Sequence, residues 1–314
     1  MEELLHSLSA VLLVVLMMAI GYAFGRLGYM KKEHKQLIVK LIVNVGVPAV
    51  CFNNILGKIS KELLNDAGAI MLLPMLSMAA TLAIAFALRR ILRIEPSKAG
   101  GFIVMCGLSN SLFIGLPMNR SLFGEAGVPF VMAYYVINTA LFWTVSCALL
   151  QRSGSCGEKQ TLLKTLKRIA TPPLIALVVC VPLLLIGFKP PKILLDLSSY
   201  LGSIVTPLAL LYVGYLLYET GLKSMRMTRD MAIVLVMRYI VAPGIMLGLC
   251  RLFGFTGTGE GVFIIEAAMP VMTQSVVVSS SCGADEQYVA QGMSISTLAC
   301  FVSIPLIMMV ISTL

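Results

Sequence analysis

The chain has 314 residues, 58% of them hydrophobic and only 12% charged. That leaves too little polar surface to coat a water-soluble globule, so the lipid bilayer is its expected solvent. The formal net charge of +9 does not read as a nucleic-acid surface, because the Lys and Arg residues fall in short clusters between apolar runs.

A membrane-spanning helix needs about 20 mostly apolar residues. Runs of that kind fall near 5–25, 36–56, 67–88, 99–119, 127–150, 170–188, 193–219, 229–253, 260–281 and 287–313. The first follows an acidic Met1-Glu2-Glu3 start and has no small-residue cleavage site, so it reads as a retained helix rather than a signal peptide. Spans 4 and 9 carry Ser, Asn, Gln, Pro or Glu, which a lipid-facing helix avoids. Cys51, Cys106, Cys147, Cys180, Cys250 and Cys300 lie inside apolar runs, with Cys156 and Cys282 at loops or loop edges. This is neither a disulfide framework nor a metal-ligand spacing.

Loop charges orient the expected bundle. The odd-numbered loops hold Arg26, Lys31, Lys32 and Lys35; Arg89, Arg90, Arg93 and Lys98; Arg152, Lys159, Lys164, Lys167 and Arg168; and Lys223, Arg226 and Arg229. The even-numbered loops hold only Lys58, Lys61, Arg120, Lys189, Lys192 and Arg251. The positive-inside rule then puts the odd loops in the cytoplasm and both termini outside, as expected of a multi-pass protein of the plasma membrane.

The basic connector 152–168 divides the chain into 1–151 and 169–314. At an offset of 159 or 160 residues the two parts match weakly but in order. Asn44-Val45-Gly46-Val47-Pro48-Ala49 falls against Ser203-Ile204-Val205-Thr206-Pro207-Leu208, and Gly101-Phe102-Ile103-Val104 against Gly261-Val262-Phe263-Ile264. With five spans in each part the second copy inserts upside down, which predicts an all-α membrane fold of two inverted five-helix repeats. Chance matching of common apolar residues is the competing explanation of such short strings.

Span 4 contains Gly107-Leu108-Ser109-Asn110-Ser111-Leu112-Phe113-Ile114-Gly115-Leu116-Pro117-Met118-Asn119, and span 9 contains Glu266-Ala267-Ala268-Met269-Pro270-Val271-Met272-Thr273-Gln274-Ser275. Glycine, proline and polar side chains in one membrane segment predict an interrupted helix, which survives at that depth only inside protein or beside a wet cavity. Pro117 is expected to free the carbonyl of Phe113 and Pro270 that of Glu266, while Pro48 and Pro207 free those of Asn44 and Ser203. Freed carbonyls suit cations and half-helix N-termini suit anions, so a crossing of two such helices holds both. A proline kink kept for packing is the plainer alternative. Asn110, Ser111, Pro117, Pro270, Thr273, Gln274 and Asn44 are therefore the candidate substrate contacts.

Glu266 is the one carboxylate well inside a span and reads as a proton carrier or sodium ligand, or as a neutral acid bonded to a nearby carbonyl. Arg238 in span 8 is the one deeply placed guanidinium; it pairs with Glu266, meets a substrate carboxylate or anchors helices. Lys40 lies near enough to a span end to snorkel. Asn53, Asn54 and Asn138 add hydrogen-bonding capacity, equally useful for packing between helices.

At these residues the sequence resembles the auxin efflux carrier family. The resemblance is carried by Asn44-Val45-Gly46-Val47-Pro48-Ala49, by Ser109-Asn110-Ser111-Leu112-Phe113-Ile114-Gly115-Leu116-Pro117 with Leu122-Phe123-Gly124, and by Ala268-Met269-Pro270. It implies a ten-helix fold shared with sodium–bile acid symporters, in which spans 1, 2, 6 and 7 form a scaffold and the others a moving domain with helices 4 and 9 crossed. It also implies organic-anion substrates such as malonate, malate or auxin-like carboxylates, and a homodimer through the scaffold. Asn110 and Pro117 take the span 4 crossover positions, and Pro270 takes the span 9 one. Glu266 departs from the family pattern and is similar instead to the span 9 glutamate of the bile acid symporter branch. That likeness implies a sodium or proton site of Glu266, Ser109 and Asn110, with no other cofactor; a potential-driven uniporter would need no such site. Enzyme chemistry lacks its parts, since the chain has only His6 and His34, no paired aspartates and no activated serine. A sensor core would need an output domain that no loop is long enough to form.

Overall fold

A computed structural model of the chain describes residues 2–58, 67–154, 171–221 and 225–312. From residue 155 onward the connector 152–168 lies outside them, as do Lys61, Cys156 and Lys223. All regular elements among the described residues are helical, and six helical runs are long and apolar enough to cross a membrane: Lys32–Gly57, Ile70–Ile91, Ser111–Ser153, Lys192–Thr220, Arg229–Leu252 and Glu286–Ile311. Shorter apolar helices cover Val11–Arg26 and Pro172–Leu185. The ten runs expected from hydropathy are therefore not ten uninterrupted rods. Those near 99–119 and 260–281 are each cut in two; both halves of the latter and the first half of the former are too short to qualify, while the second half of the former continues into the Ser111–Ser153 run.

In chain order the α-helices are α1 (Glu2–Arg26), α2 (Lys32–Leu41), α3 (Val47–Lys58), α4 (Ala67–Ile91), α5 (Pro96–Gly107), α6 (Leu116–Phe123), α7 (Val128–Leu141), α8 (Cys147–Ser153), α9 (Pro172–Leu185), α10 (Lys192–Ser203), α11 (Val205–Thr220), α12 (Arg229–Val236), α13 (Ala242–Leu252), α14 (Thr258–Ala267), α15 (Gln274–Cys282) and α16 (Glu286–Ile311). Wide π-turns lie at Ile42–Gly46, Ser111–Gly115, Phe142–Ser146 and Met237–Val241. Three of them are followed, one residue on, by a proline: Pro48, Pro117 and Pro243. Proline has no N–H to donate, and its ring crowds the carbonyl four residues back. Widening that turn to an i→i+5 pattern relieves the clash while the rod continues.

Helices α1 and α11 pack closely. A Cβ built on Gly21 would lie 2.1 Å from the Leu211 carbonyl oxygen, and one on Gly214 would lie 1.9 Å from that of Met18. Both sites therefore need glycine, the small-residue packing that lets membrane helices approach backbone to backbone. Helix α3 packs on α9 and α10, where Asn53 donates to the Leu195 carbonyl at 2.9 Å and to Ser198 Oγ at 3.2 Å. The two broken segments lie deepest in the buried core: Phe102–Met118 and Val262–Val271 are buried throughout.

Candidate functional site

The chain leaves α5 at Gly107 and runs extended through Leu108 and Ser109, then re-enters helix at Ser111. It leaves α14 at Ala267 and resumes in α15 at Gln274. The two extended strips meet as an antiparallel bridge between Ser109 and Val271, and the Asn110 N–H donates to the Pro270 carbonyl at 2.9 Å. Ser109, Asn110, Pro270 and Val271 are buried, so their backbone groups must be satisfied from within the protein. Asn138 of α7 does this for Ser109, accepting from its N–H at 3.2 Å and donating to its carbonyl at 2.9 Å. Ser296 Oγ accepts from the Val271 N–H at 3.0 Å.

The helix ends at this crossing are sorted by polarity. The carbonyl ends of α5 and α14 converge on Arg238, which is buried in its π-turn. Its Nε and Nη2 donate to the Met269 carbonyl at 2.9 and 2.5 Å, Nη2 also donates to that of Ala267 at 2.9 Å, and Nη1 donates to that of Cys106 at 3.3 Å. The last carbonyls of a helix lack partners and carry partial negative charge, so one guanidinium with five donors serves both ends at once. Of the roles open to Arg238 from sequence, anchoring the helices is the one its contacts describe; its donors go to backbone rather than to Glu266 or a cavity. The carbonyl of Glu266, expected to be freed by Pro270, instead accepts from the Met269 N–H at 3.2 Å. A tight last turn closes on it before the proline is reached.

The amide ends face the other way. A cavity of about 180 Å³ opens beside Ser109, Asn110, Ser111 and Gln274, with Lys40 and Asn44 of span 2 opposite and Tyr135, Trp143 and Thr171 along its wall. Asn110 caps the new helix by accepting from the Phe113 N–H at 3.3 Å and ties the strips together by donating to Thr273 Oγ1 at 2.8 Å. The first amides of a helix have no acceptor within it and carry partial positive charge. Lys40 is the one charged residue in this lining. A positive wall of amides and one ammonium, with neutral hydroxyls and carboxamides, suits a small anion.

Of the residues singled out from sequence, Asn44, Ser109, Asn110, Ser111 and Gln274 line this cavity. Thr273 and Pro270 contribute through Asn110, while Pro117 sits buried in the first turn of α6. Ser109 Oγ lies 2.9 Å from the Tyr134 hydroxyl. Glu266 is grouped with neither Ser109 nor Asn110 by any hydrogen bond. It is fully buried, and its Oε1 accepts from Asn119 Nδ2 at 2.7 Å; the same Nδ2 donates to the Gly115 carbonyl at 3.0 Å. A Cβ on Gly115 would lie 2.4 Å from Glu266 Oε1, so the glycine makes room for the carboxyl. Glu266 Oε2 and Asn119 Oδ1 are buried without hydrogen-bond partners. Asn119 has no distinguishing signal in the sequence beyond its place four residues after Gly115, which puts both on one helix face. Lys40 does not only snorkel to a span end; it lines the cavity across from the crossing.

Apolar spanning helices around a buried polar crossing with a cavity define a multi-pass membrane transport protein. Comparison with known proteins agrees. The model of the family described as membrane transport protein matches residues 6–308, and the chain belongs to that family, the auxin efflux carriers. It is similar to an uncharacterized transporter of Methanothermobacter thermautotrophicus, 26% identical over 96% of this chain and 97% of the relative. It is also similar to an uncharacterized transporter of Methanocaldococcus jannaschii, 25% identical over 92% and 94%. The chain is accordingly a transporter and not an enzyme.

Proposed function

We propose that the chain is a secondary transporter of small organic anions, chiefly carboxylates, working by elevator-type alternating access. The observation that carries this reading is the sorting of helix ends: Arg238 occupies the carbonyl ends, and the amide ends share the cavity with Lys40. A carboxylate there meets positive partial charge from the helix and a full charge from Lys40, while its carbon skeleton lies against Trp143, Phe113 and Tyr135. The cavity lies below the roughly 300–1,000 Å³ of drug-sized sites, which favours acids of a few carbons.

The proposed architecture is ten spans in two inverted five-helix repeats, 1–151 and 169–314, joined by the cytoplasmic connector. Spans 1, 2, 6 and 7 form a scaffold and, in the plasma membrane with both termini outside, a homodimer. The packing of α1 on α11 and of α3 on α9 and α10 supports a separate scaffold body. The breaks in spans 4 and 9, about 160 residues apart, match the sequence offset of the repeats. Coupling to a proton or sodium ion is assigned to Glu266, with Asn119 beside it and the Ser109–Asn110 pair nearer the cavity. The unpartnered Glu266 Oε2 and Asn119 Oδ1 support that assignment. Because Glu266 does not line the cavity, a potential-driven uniporter is the second reading.

Uptake of labelled malonate and malate into proteoliposomes tests both. Saturable flux that weakens in Lys40→Gln supports the anion site, and no flux of any small carboxylate refutes it. Flux that loses its ion dependence in Glu266→Gln supports coupling. Flux indifferent to sodium, to the proton gradient and to Glu266→Gln leaves the uniporter.

A further inference from the structure

We infer that the seam between α12–α13 and α16 is a phospholipid site, with an acyl chain in an apolar cleft and an anionic headgroup on Arg226 and Arg229. A cleft of about 580 Å³ runs between α13 and α16, past Tyr239, Gly244, Leu247, Ser303 and Val310. A second, of about 400 Å³, is walled by Met225, Met227, Leu235, Ile295 and Ala299. Leu235 and Ala299 line both, so the two lie end to end along the same seam. The helices run side by side in one direction, since Tyr288 donates to Asp230 and Tyr239 to the Ser296 carbonyl. The lined stretch is about 18 Å of helix from Leu235 to Leu247 on one wall and about 24 Å from Ile295 to Ile311 on the other, enough to take most of an acyl chain.

The sequence leaves this space unfilled. A Cβ built on Gly244 or Gly248 meets nothing within 4 Å, and Ala299 and Ser303 opposite are small. The rim is apolar and open, with Ile240, Val302 and Leu306 exposed, so it faces lipid. A gap of this size forfeits dispersion contacts unless apolar matter enters it. Gly244 and Gly248 are also spaced for helix association, but the cleft reaches Ile264 of α14, behind both wall helices. A helix about 10 Å across does not enter such a recess, whereas an acyl chain does. Arg226 and Arg229 are exposed beside Met225 and Met227 at one end, in a loop whose charge marks it as cytoplasmic, where anionic lipids attract basic groups. Asp230 is half-buried and accepts from Tyr288. A bound chain would rest on Ile264, two residues from Glu266, and so brace the half-helix that carries it.

Native mass spectrometry of the purified full chain with dioleoyl phosphatidylglycerol or dioleoyl phosphatidylcholine tests the site. The expected result is a roughly 25-fold preference for phosphatidylglycerol, about fivefold for each arginine, falling to near parity in the Arg226→Gln/Arg229→Gln variant. Gly244→Leu should reduce binding of both lipids without lowering the melting temperature of delipidated protein, and Ser303→Leu should do the same from the opposite wall. Equal binding of the two lipids by the parent, or undiminished binding in both cleft-filling variants, overturns the proposal. So does a change of oligomeric state in Gly244→Leu with lipid binding intact, which would make the occupant a second copy.

Discussion

Replacing Arg238 by methionine keeps much of the apolar stem and removes every donor at the convergence of α5 and α14. Three carbonyls lose their partner, those of Cys106, Ala267 and Met269. An orphaned buried group costs about 1–3 kcal/mol. The Cys106 contact, at 3.3 Å, belongs at the low end, so the gross loss is roughly 3–7 kcal/mol. Relief from burying a guanidinium offsets part of it, leaving about 2–5 kcal/mol against the 5–15 kcal/mol typical of folded proteins. Arg238→Met should therefore melt roughly 3–8 °C below the parent. Arg238→Lys should fall between, because a single ammonium cannot reach all three oxygens with fork geometry. Fluorescence-detected size exclusion after a heating series gives the readout in detergent. The decisive comparison is Arg238→Met with Glu266→Gln added. If Arg238 balances the Glu266 charge, the double variant regains stability; if it holds helix ends, it does not. A parent-like melting temperature for Arg238→Met, or rescue by Glu266→Gln, would refute the clamp.

Gly115→Ala should destabilise by about 1–3 kcal/mol, as overpacking of a tight site does, and lose much of that penalty when combined with Glu266→Ala, a non-additivity that a double-mutant cycle in thermal melts detects. Glu266→Gln keeps an acceptor for Asn119, so its melting temperature should stay near the parent's while ion-dependent flux in proteoliposomes disappears. Asn138→Leu removes both bonds to the Ser109 backbone and should cost about 2–4 kcal/mol, with transport falling further than melting explains, because Ser109 lines the cavity. Lys40→Gln should leave melting unchanged, since the side chain is exposed, and raise KM for a carboxylate about tenfold.

The broken segments were legible because their signal is local: Gly107, Pro117 and Pro270 with Ser, Asn and Thr inside apolar runs contradict an ordinary spanning helix. The partner of Arg238 was not. Charge alone points from a buried guanidinium to the nearest carboxylate, whereas the carbonyl ends of α5 and α14 leave no mark in residue type. Lys40 has the sequence surroundings of a span-end lysine, because a cavity shared with residues 70 positions away leaves no mark in its own segment. Asn119 was overlooked for a related reason, since its link to Glu266 crosses 147 positions of sequence. The π-turns had a usable signature in the prolines that follow three of them, but a proline alone does not distinguish a widened turn from a kink.

A thermal-shift panel of small carboxylates and matched amines, run on the parent, Lys40→Gln and Glu266→Gln, measures the polarity of the cavity directly, because a ligand bound only by the folded state raises apparent stability. Stabilisation by at least one carboxylate and by none of the amines, lost in Lys40→Gln, is the predicted result. Stabilisation by amines, or a carboxylate shift that survives Lys40→Gln at full size, would contradict it.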